Sequence, residues 1–443
     1  MSKNLTRVFA LGGAVLMALP GLAESKYDPS LQVTAEERYD DAILLRAANN
    51  GQGELITKLS TALGVKGKDE LWKLNTWYSP DLLIHENSAR QSVNLEHRGR
   101  LNYERRLSPF TELKSDFRIW RVIDPTSLPR FGIGRTLDPI LYGTADLEVR
   151  HLFTRRFGLR AGEHFEGVKI YYQPYEVTGN QTAQTGGFFG GTEGTCGAKT
   201  VNPGNGQAVT CIQAYQTAPG IVNAPFAEAF YKLSRRGEAG LGTRVQFFNF
   251  GGDSGIGVGP YATYRYRITR ESHFAVTGGA VFFKDYPATV TTAHGVGPSQ
   301  PNGSGTLPRL NAELGREGPQ LEYGLYAGHD LVGASGFTDA LWADYASLFA
   351  SYRIYYLPLK FFAGTTYYRN GAAPNVGTLP LFRSDNRTSA GYSVEGGVEV
   401  KLSRTLLAQG VYDRFAQIGA IYTGAQPNLT RNIVAVRLNW TAF

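Results

Sequence analysis

At 443 residues the chain is too long for one small domain and long enough for one large barrel with a small extra segment. Its net charge is +7, but the arginines stand singly along alternating stretches and at turns, not in a basic run or on a helix face, which argues against a nucleic-acid partner. After Ala23 no run of 18 apolar residues occurs, which leaves strands, not helices, as the means of crossing a membrane.

In chain order, Lys3 and Arg7 precede an apolar core from Val8 to Leu19, and Pro20-Gly21-Leu22-Ala23 supplies small residues before Glu24. This order predicts a secretory signal peptide over residues 1–23. No Cys lies near the cleavage point, so an N-terminal lipid anchor is not expected.

Residues 24–91 read as a periplasmic helical segment. Thr34-Ala35-Glu36-Glu37 fits a capping box, and Tyr39, Ala42, Ile43 and Ala47 fall on one helical face before Asn49-Asn50-Gly51. Leu55, Leu59 and Leu63 repeat every four residues ahead of Gly64 and Gly67, and Asp69 to Trp77 suggests a third short helix. Such a segment serves as a plug, a cap or a docking surface.

From Ser92 the apolar period changes to two. Val93, Leu95, Leu101 and Tyr103 alternate with Glu96, Arg98, Arg100 and Asn102, while Tyr392, Val394, Val398 and Val400 alternate with Ser393, Glu395, Glu399 and Lys401. Soluble strands average about 5–6 residues, whereas membrane strands need about 9–11, and the runs here match the longer class. The other face carries both signs of charge, as a water-filled lumen requires.

The expected architecture is an all-β transmembrane antiparallel β-barrel over 92–443, with about 14 strands (12–16) after a short helical segment. The strands fall near 92–104, 109–121, 142–154, 158–173, 222–234, 240–251, 257–269, 273–285, 318–330, 338–353, 358–370, 388–402, 405–418 and 430–442. Long loops are expected at 122–141, 174–221, 286–317 and 371–387, and short arginine-containing turns at Arg105-Arg106, Arg155-Arg156, Arg235-Arg236, Arg270 and Arg404. The long–short order slips unless one strand lies before Ser92 and another within 286–317, which would make 16. Gly251-Gly252-Asp253-Ser254-Gly255 reads as a tight turn, since no helix follows to make it a phosphate loop. Aromatic pairs near strand ends, among them Tyr171-Tyr172, Phe247-Phe248, Phe282-Phe283, Tyr355-Tyr356, Phe361-Phe362 and Tyr367-Tyr368, suit interfacial belts.

The expected pore lining is Glu96, Arg98, Arg100, Asp116, Arg118, Asp146, Glu148, Arg150, Arg265, Arg267, Glu395, Glu399, Lys401 and Arg437. Cys196 and Cys211 share a long Gly-rich loop, and in an oxidising compartment they are expected to form a disulfide. His329-Asp330 with Ser335 is the nearest approach to a catalytic set; a lone His-Asp near a strand end is more often incidental, and the chain is not read as an enzyme. The seven histidines lack metal spacing, and no metal or other cofactor is expected.

The ending Asn439-Trp440-Thr441-Ala442-Phe443 resembles the terminal signal of Gram-negative outer-membrane β-barrels, with one departure: Phe443 shares the parity of Arg437 and Thr441, not of Leu438 and Trp440. That resemblance implies residence in the outer membrane and insertion by its assembly machinery, with membrane lipid and lipopolysaccharide as surroundings. Three functions fit: a porin-like channel for small hydrophilic solutes, an export or assembly pore whose helical segment docks a periplasmic partner, and a structural or adhesive barrel with a closed lumen. Joining a helical periplasmic segment to a barrel resembles polysaccharide or surface-protein export pores.

Overall fold

The structure is a computed structural model and describes residues 27–41, 53–86, 93–123, 140–170, 220–250, 253–286, 291–292, 295–296, 304–332, 341–372, 389–418 and 428–442. The signal-peptide expectation, both cysteines, Tyr171-Tyr172, Ser335 and Phe443 fall outside these residues.

The strands are β1 (Tyr27–Asp40), β2 (Glu54–Lys68), β3 (Trp72–His85), β4 (Val93–Ser108), β5 (Thr111–Val122), β6 (Ile140–Leu152), β7 (Phe157–Ile170), β8 (Gly220–Lys232), β9 (Gly237–Phe250) and β10 (Asp253–Arg267). They continue as β11 (Ser272–Tyr286), β12 (Thr291–Thr292), β13 (Gly295–Val296), β14 (Ser304–Glu317), β15 (Leu321–Val332), β16 (Leu341–Arg353), β17 (Leu359–Ala372), β18 (Ser389–Lys401), β19 (Leu406–Ile418) and β20 (Asn428–Thr441). Apart from β12 and β13, which pair only with each other, the strands make one 18-stranded antiparallel sheet. It closes on itself where Glu36 of β1 pairs with Arg437 of β20. Closure removes the exposed strand edges that a membrane does not tolerate.

Two sequence expectations are corrected. The wall has 18 strands, not about 14, and the described part of 24–91 is not helical: it forms β1, β2 and β3, three staves of the barrel. A spacing of four is also a multiple of two. Leu55, Leu59 and Leu63 therefore line the outer face of β2 together, as they would one face of a helix. The capping-box pair is split across the pleat, with Thr34 donating to Asn439 Oδ1 at 2.6 Å and Glu37 accepting from Thr57 at 2.7 Å. The fourth additional strand is β14, inside the stretch read as a long loop. Its Pro308 lies in the half that pairs with β11 but not with β15, where a missing N–H is tolerated.

With these strands the connections alternate strictly in side. Both the start of β1 and the end of β20 lie on the rim of short turns, and the long connections gather on the opposite rim. The Gly251-Gly252 connection is the exception in length, since β9 and β10 pair as far as Phe250 and Asp253.

Walking the pairing registers around the sheet fixes its two faces. One face carries the exposed apolar side chains, including Leu95, Phe117, Leu147, Leu241, Phe282, Val394 and Val436. On the other face, residues of strands two or three apart touch one another, which identifies it as the concave interior. The aromatic doublets inside strands are divided by the pleat. Phe247 and Tyr367 are exposed on the outside, whereas Phe248 and Tyr368 are buried inside, so each doublet supplies only one ring to an outer belt. Tyr355 and Tyr356 sit in the β16–β17 turn and are both exposed.

Candidate functional site

The registers place all fourteen expected lining residues on the interior face. They fall into separate ion-paired groups. Near the closure seam, Arg437 Nε donates to Glu36 Oε2 at 2.6 Å, and the buried Arg431 holds Asp40 at 2.5 Å. Asp81, which sequence reading left in the helical segment, accepts from Arg98 and from Lys58 at 3.1 Å. Asp116 receives Arg100 at 2.8 Å and Arg118 at 2.5 Å, and Glu96 accepts from the Ile123 backbone at 2.8 Å. Asp146 meets His164 at 2.6 Å. Glu399 accepts from Gln409 at 2.9 Å. Glu395 and Lys401 continue the interior face of β18, and Arg267 lies exposed at the short-turn end of β10.

The densest group spans β6 to β10. Arg160 reaches Glu228 at 2.6 Å, Glu238 at 3.0 Å and Glu148 at 3.3 Å. Arg265 meets Glu228 at 2.8 Å, and Arg150 meets Glu238 at 2.5 Å. Three arginines thus balance three glutamates. Phe230 lies among them, with the guanidinium carbons of Arg150 and Arg160 at 4.5 and 5.3 Å from its ring centre, within cation–π reach. Backbone at Gly158 and Gly240 leaves room for this layer: a Cβ at Gly158 would stand 2.5 Å from the Phe230 ring, and one at Gly240 2.7 Å from Glu228 and Thr263. Sequence reading found Glu148, Arg150 and Arg265 from their alternation. It missed Arg160, Glu228 and Glu238, because glycines and alanines interrupt the alternation of β7, β8 and β9.

The interior also holds apolar groups that binary alternation does not predict. Val222, Phe248, Val281, Phe283 and Leu331 form one buried cluster toward the long-connection rim, with Trp342 packed against it. Leu331 belongs to β15, yet Gln246 of β9 donates to its carbonyl at 3.4 Å. Four inter-strand steps separate β9 from β15 along the wall, a path of about 19 Å at the usual strand spacing. The end of β15, still paired with β16 as far as Val332, therefore bends inward from the line of the wall, consistent with its loss of pairing to residues 304–309, and crosses toward β9. There Arg309 holds Asp330 at 2.8 Å, and Tyr345 donates to Asn311 at 2.6 Å. This crossing sets Leu331 against residues of β8, β9 and β11 inside the barrel. His329 contacts Asp344 and Trp342, so His329 and Asp330 are engaged by different partners.

A closed antiparallel barrel with an apolar outer belt, an ion-paired interior and segregated long and short connections defines a membrane-spanning β-barrel of the Gram-negative outer-membrane class. Among solved structures, the chain is similar to Acinetobacter baumannii OccAB4 (10% identity, TM-score 0.39, covering 95% of this chain and 99% of that one). It is also similar to Pseudomonas aeruginosa OccK2 in complex with glucuronate (12%, 0.41, 94% and 99%) and to Pseudomonas aeruginosa OprD (10%, 0.37, 94% and 95%). At such identities no residue role passes from them to this chain. No protein-family model and no curated protein matches the sequence.

Proposed function

We propose that the protein is a channel that passes small hydrophilic solutes across the outer membrane through a lumen of mixed charge. The observation that carries this reading is the strand number. Barrels of 16–18 strands are too wide for side chains to fill and leave an aqueous path, unlike barrels of about eight. The interior Arg–Glu–Asp groups then line that path, and the β15 crossing with its Arg309–Asp330 pair sets its narrow point. The export reading rested on a helical docking segment, and the strands β1 to β3 stand there instead. An N-terminal export signal over 1–23, a Cys196–Cys211 disulfide, delivery by the outer-membrane assembly machinery and lipopolysaccharide around the long-connection rim complete the proposal.

The test is single-channel recording after refolding the protein into planar bilayers. Discrete conductance steps that scale with salt support the channel. A folded, inserted barrel that conducts nothing overturns it and leaves the closed-lumen barrel standing.

A further inference from the structure

Four of the short turns are the same small device. Phe153-Thr154-Arg155-Arg156, Leu233-Ser234-Arg235-Arg236, Ile268-Thr269-Arg270-Glu271 and Leu402-Ser403-Arg404-Thr405 each run apolar, hydroxyl, arginine, then a polar or charged residue. In each, the hydroxyl oxygen accepts from the two backbone N–H groups two and three residues on. The distances are 3.3 and 2.9 Å at Thr154, 3.1 and 2.8 Å at Ser234, 3.1 and 3.0 Å at Thr269, and 3.2 and 3.0 Å at Ser403. Backbone bonds close the turns in the same register, as from Thr154 N to Phe157 O at 3.1 Å and from Ser403 N to Leu406 O at 3.1 Å. Such hydroxyl turns fix the backbone without help from the rest of the fold.

The fixed backbone sets two side chains in a constant relation. The apolar residue belongs to the outer face and is exposed: Phe153 58%, Leu233 57%, Ile268 42% and Leu402 56%. The arginine two positions later stands exposed at the tip. Arg155, Arg235, Arg270 and Arg404 make no ion pair among the described residues. Where a second arginine follows, it ties the turn to its neighbour, Arg156 to Tyr231 and Arg236 Nη1 to the Ile268 carbonyl at 3.5 Å. Glu271, the acid of these turns, is occupied by Arg316 at 3.3 Å. The first arginine is thus left free while its surroundings are satisfied.

The four consecutive connections from β4 to β11 concentrate the charge. Three of them carry Arg155-Arg156, Arg235-Arg236 and Arg270 against Glu271, while Arg105 and Arg106 lie just inside β4 ahead of the Pro109-Phe110 turn, Arg106 opposite Glu112; by contrast the β2–β3 turn is acidic (Asp69-Glu70) and the β14–β15 turn (Gly318-Pro319-Gln320) is uncharged.

We propose that these four turns, three of them neighbours on this arc of the short-turn rim and the fourth at β18–β19, bind the phosphate groups of anionic phospholipids. Each apolar residue enters the hydrocarbon edge, and the arginine beyond it meets the headgroup. The proposal rests on the reading of the chain as a membrane-spanning barrel. Its chemistry is that of a guanidinium presenting parallel donors to phosphate oxygens, strengthened by the attraction of an anionic leaflet for basic residues at its surface. An acidic protein would match the charge but not the exposed apolar residue placed beside every arginine.

The test uses the full chain refolded into vesicles of phosphatidylcholine containing spin-labelled phosphatidylglycerol or spin-labelled phosphatidylcholine. Electron paramagnetic resonance reads the fraction of each label immobilised at the barrel. The wild type should favour phosphatidylglycerol by about threefold or more, and raised salt should reduce the preference. The variant Arg155→Gln/Arg235→Gln/Arg270→Gln/Arg404→Gln should bring it close to parity, and the corresponding Arg→Lys variant should keep most of it. Heat-dependent gel mobility and protease protection report folding and insertion independently, so failure to span a membrane is seen separately from failure to select lipid. If the fourfold variant does not fold, the Arg155→Gln/Arg235→Gln pair carries the same comparison. Equal preference in an inserted wild type and an inserted Gln variant overturns the proposal.

Discussion

Glu228 offers a direct test of whether the β6–β10 charge group faces the conducting path. Its carboxylate lies between Arg160 at 2.6 Å and Arg265 at 2.8 Å. The group holds Arg150, Arg160 and Arg265 against Glu148, Glu228 and Glu238, so Glu228→Gln changes its balance from zero to +1. Gln keeps the shape and still accepts from one arginine, and Arg160 retains Glu148 and Glu238. The barrel should therefore fold. An ion passing at about 5 Å in water feels an added unit charge by about 0.8 kcal/mol. Screening at 0.1 M salt, with a Debye length of about 10 Å, lowers this to about 0.5 kcal/mol. Anions gain that amount and cations lose it, so their permeability ratio should shift toward anions by about fivefold. The assay is the reversal potential across a planar bilayer under a tenfold potassium chloride gradient. Glu37→Gln, the same change on the outer face, should leave the potential unchanged. A folded Glu228→Gln channel with wild-type selectivity would refute the placement of this group along the ion path.

Four further outcomes are expected. Asp40→Ala removes the carboxylate that the nearly buried Arg431 holds at the closure seam and should destabilise the barrel by about 1–3 kcal/mol, seen as a lower temperature of heat-dependent gel mobility shift. Gly240→Leu drives a side chain into Glu228 and Thr263 and should destabilise the barrel by about 1–3 kcal/mol by the same measurement, while Gly278→Ala, where a Cβ meets nothing within 4 Å, should be tolerated. Leu331→Ala removes the anchor of the β15 crossing at a cost of about 2–5 kcal/mol for that local contact, and should raise single-channel conductance; an unchanged or smaller conductance would show that the crossing does not set the narrow point. Reduction with dithiothreitol should slow the denatured protein on gels only if Cys196 and Cys211 are bridged, and Cys196→Ser should abolish that difference.

The fourteen strands expected from alternation all stand in the barrel, with ends displaced by at most four residues, because a two-faced strand under lipid must repeat every second residue. Legibility failed where one face carried little contrast. In β14, Gly305, Pro308 and Gly315 interrupt the pattern. In β7 to β9 the alternation was strong enough to place the strands but not their interior partners, because Phe226 and Phe230 point inward where a polar residue was expected. Those rings lie over Gly162 and Gly158, so the code is a pairing of large and small residues on adjacent strands rather than of polar and apolar ones on a single strand. That code spans β7 and β8, whose connection is the longest in the chain, and no window along the sequence contains both halves.

The error over β1 to β3 has a different origin and a larger consequence. Leucines at every fourth position satisfy both a helix and a strand, and only the residues between them discriminate. Thr57, Thr61 and Val65 are β-branched and share the outer face with the leucines, whereas a helix would turn them to the side opposite the leucines. Closure adds a second discriminator. The chain starts and finishes its barrel on the short-turn rim, so an even number of strands must separate the two ends, and the slip in long–short order already required strands beyond fourteen. One missing strand in 286–317 accounts for the slip there. The turn after the first sequence-visible strand stands at Pro109-Phe110 and not at Arg105-Arg106, which lie inside β4; it is short and therefore on the rim of the termini, so the number of strands before Ser92 must be odd. A single strand would satisfy that count and leave most of 24–91 unexplained, while three fill it with staves long enough to span. Parity, length and the Thr–Leu alternation together select three, and the segment that looked like the protein's link to a periplasmic partner is the wall that closes its lumen.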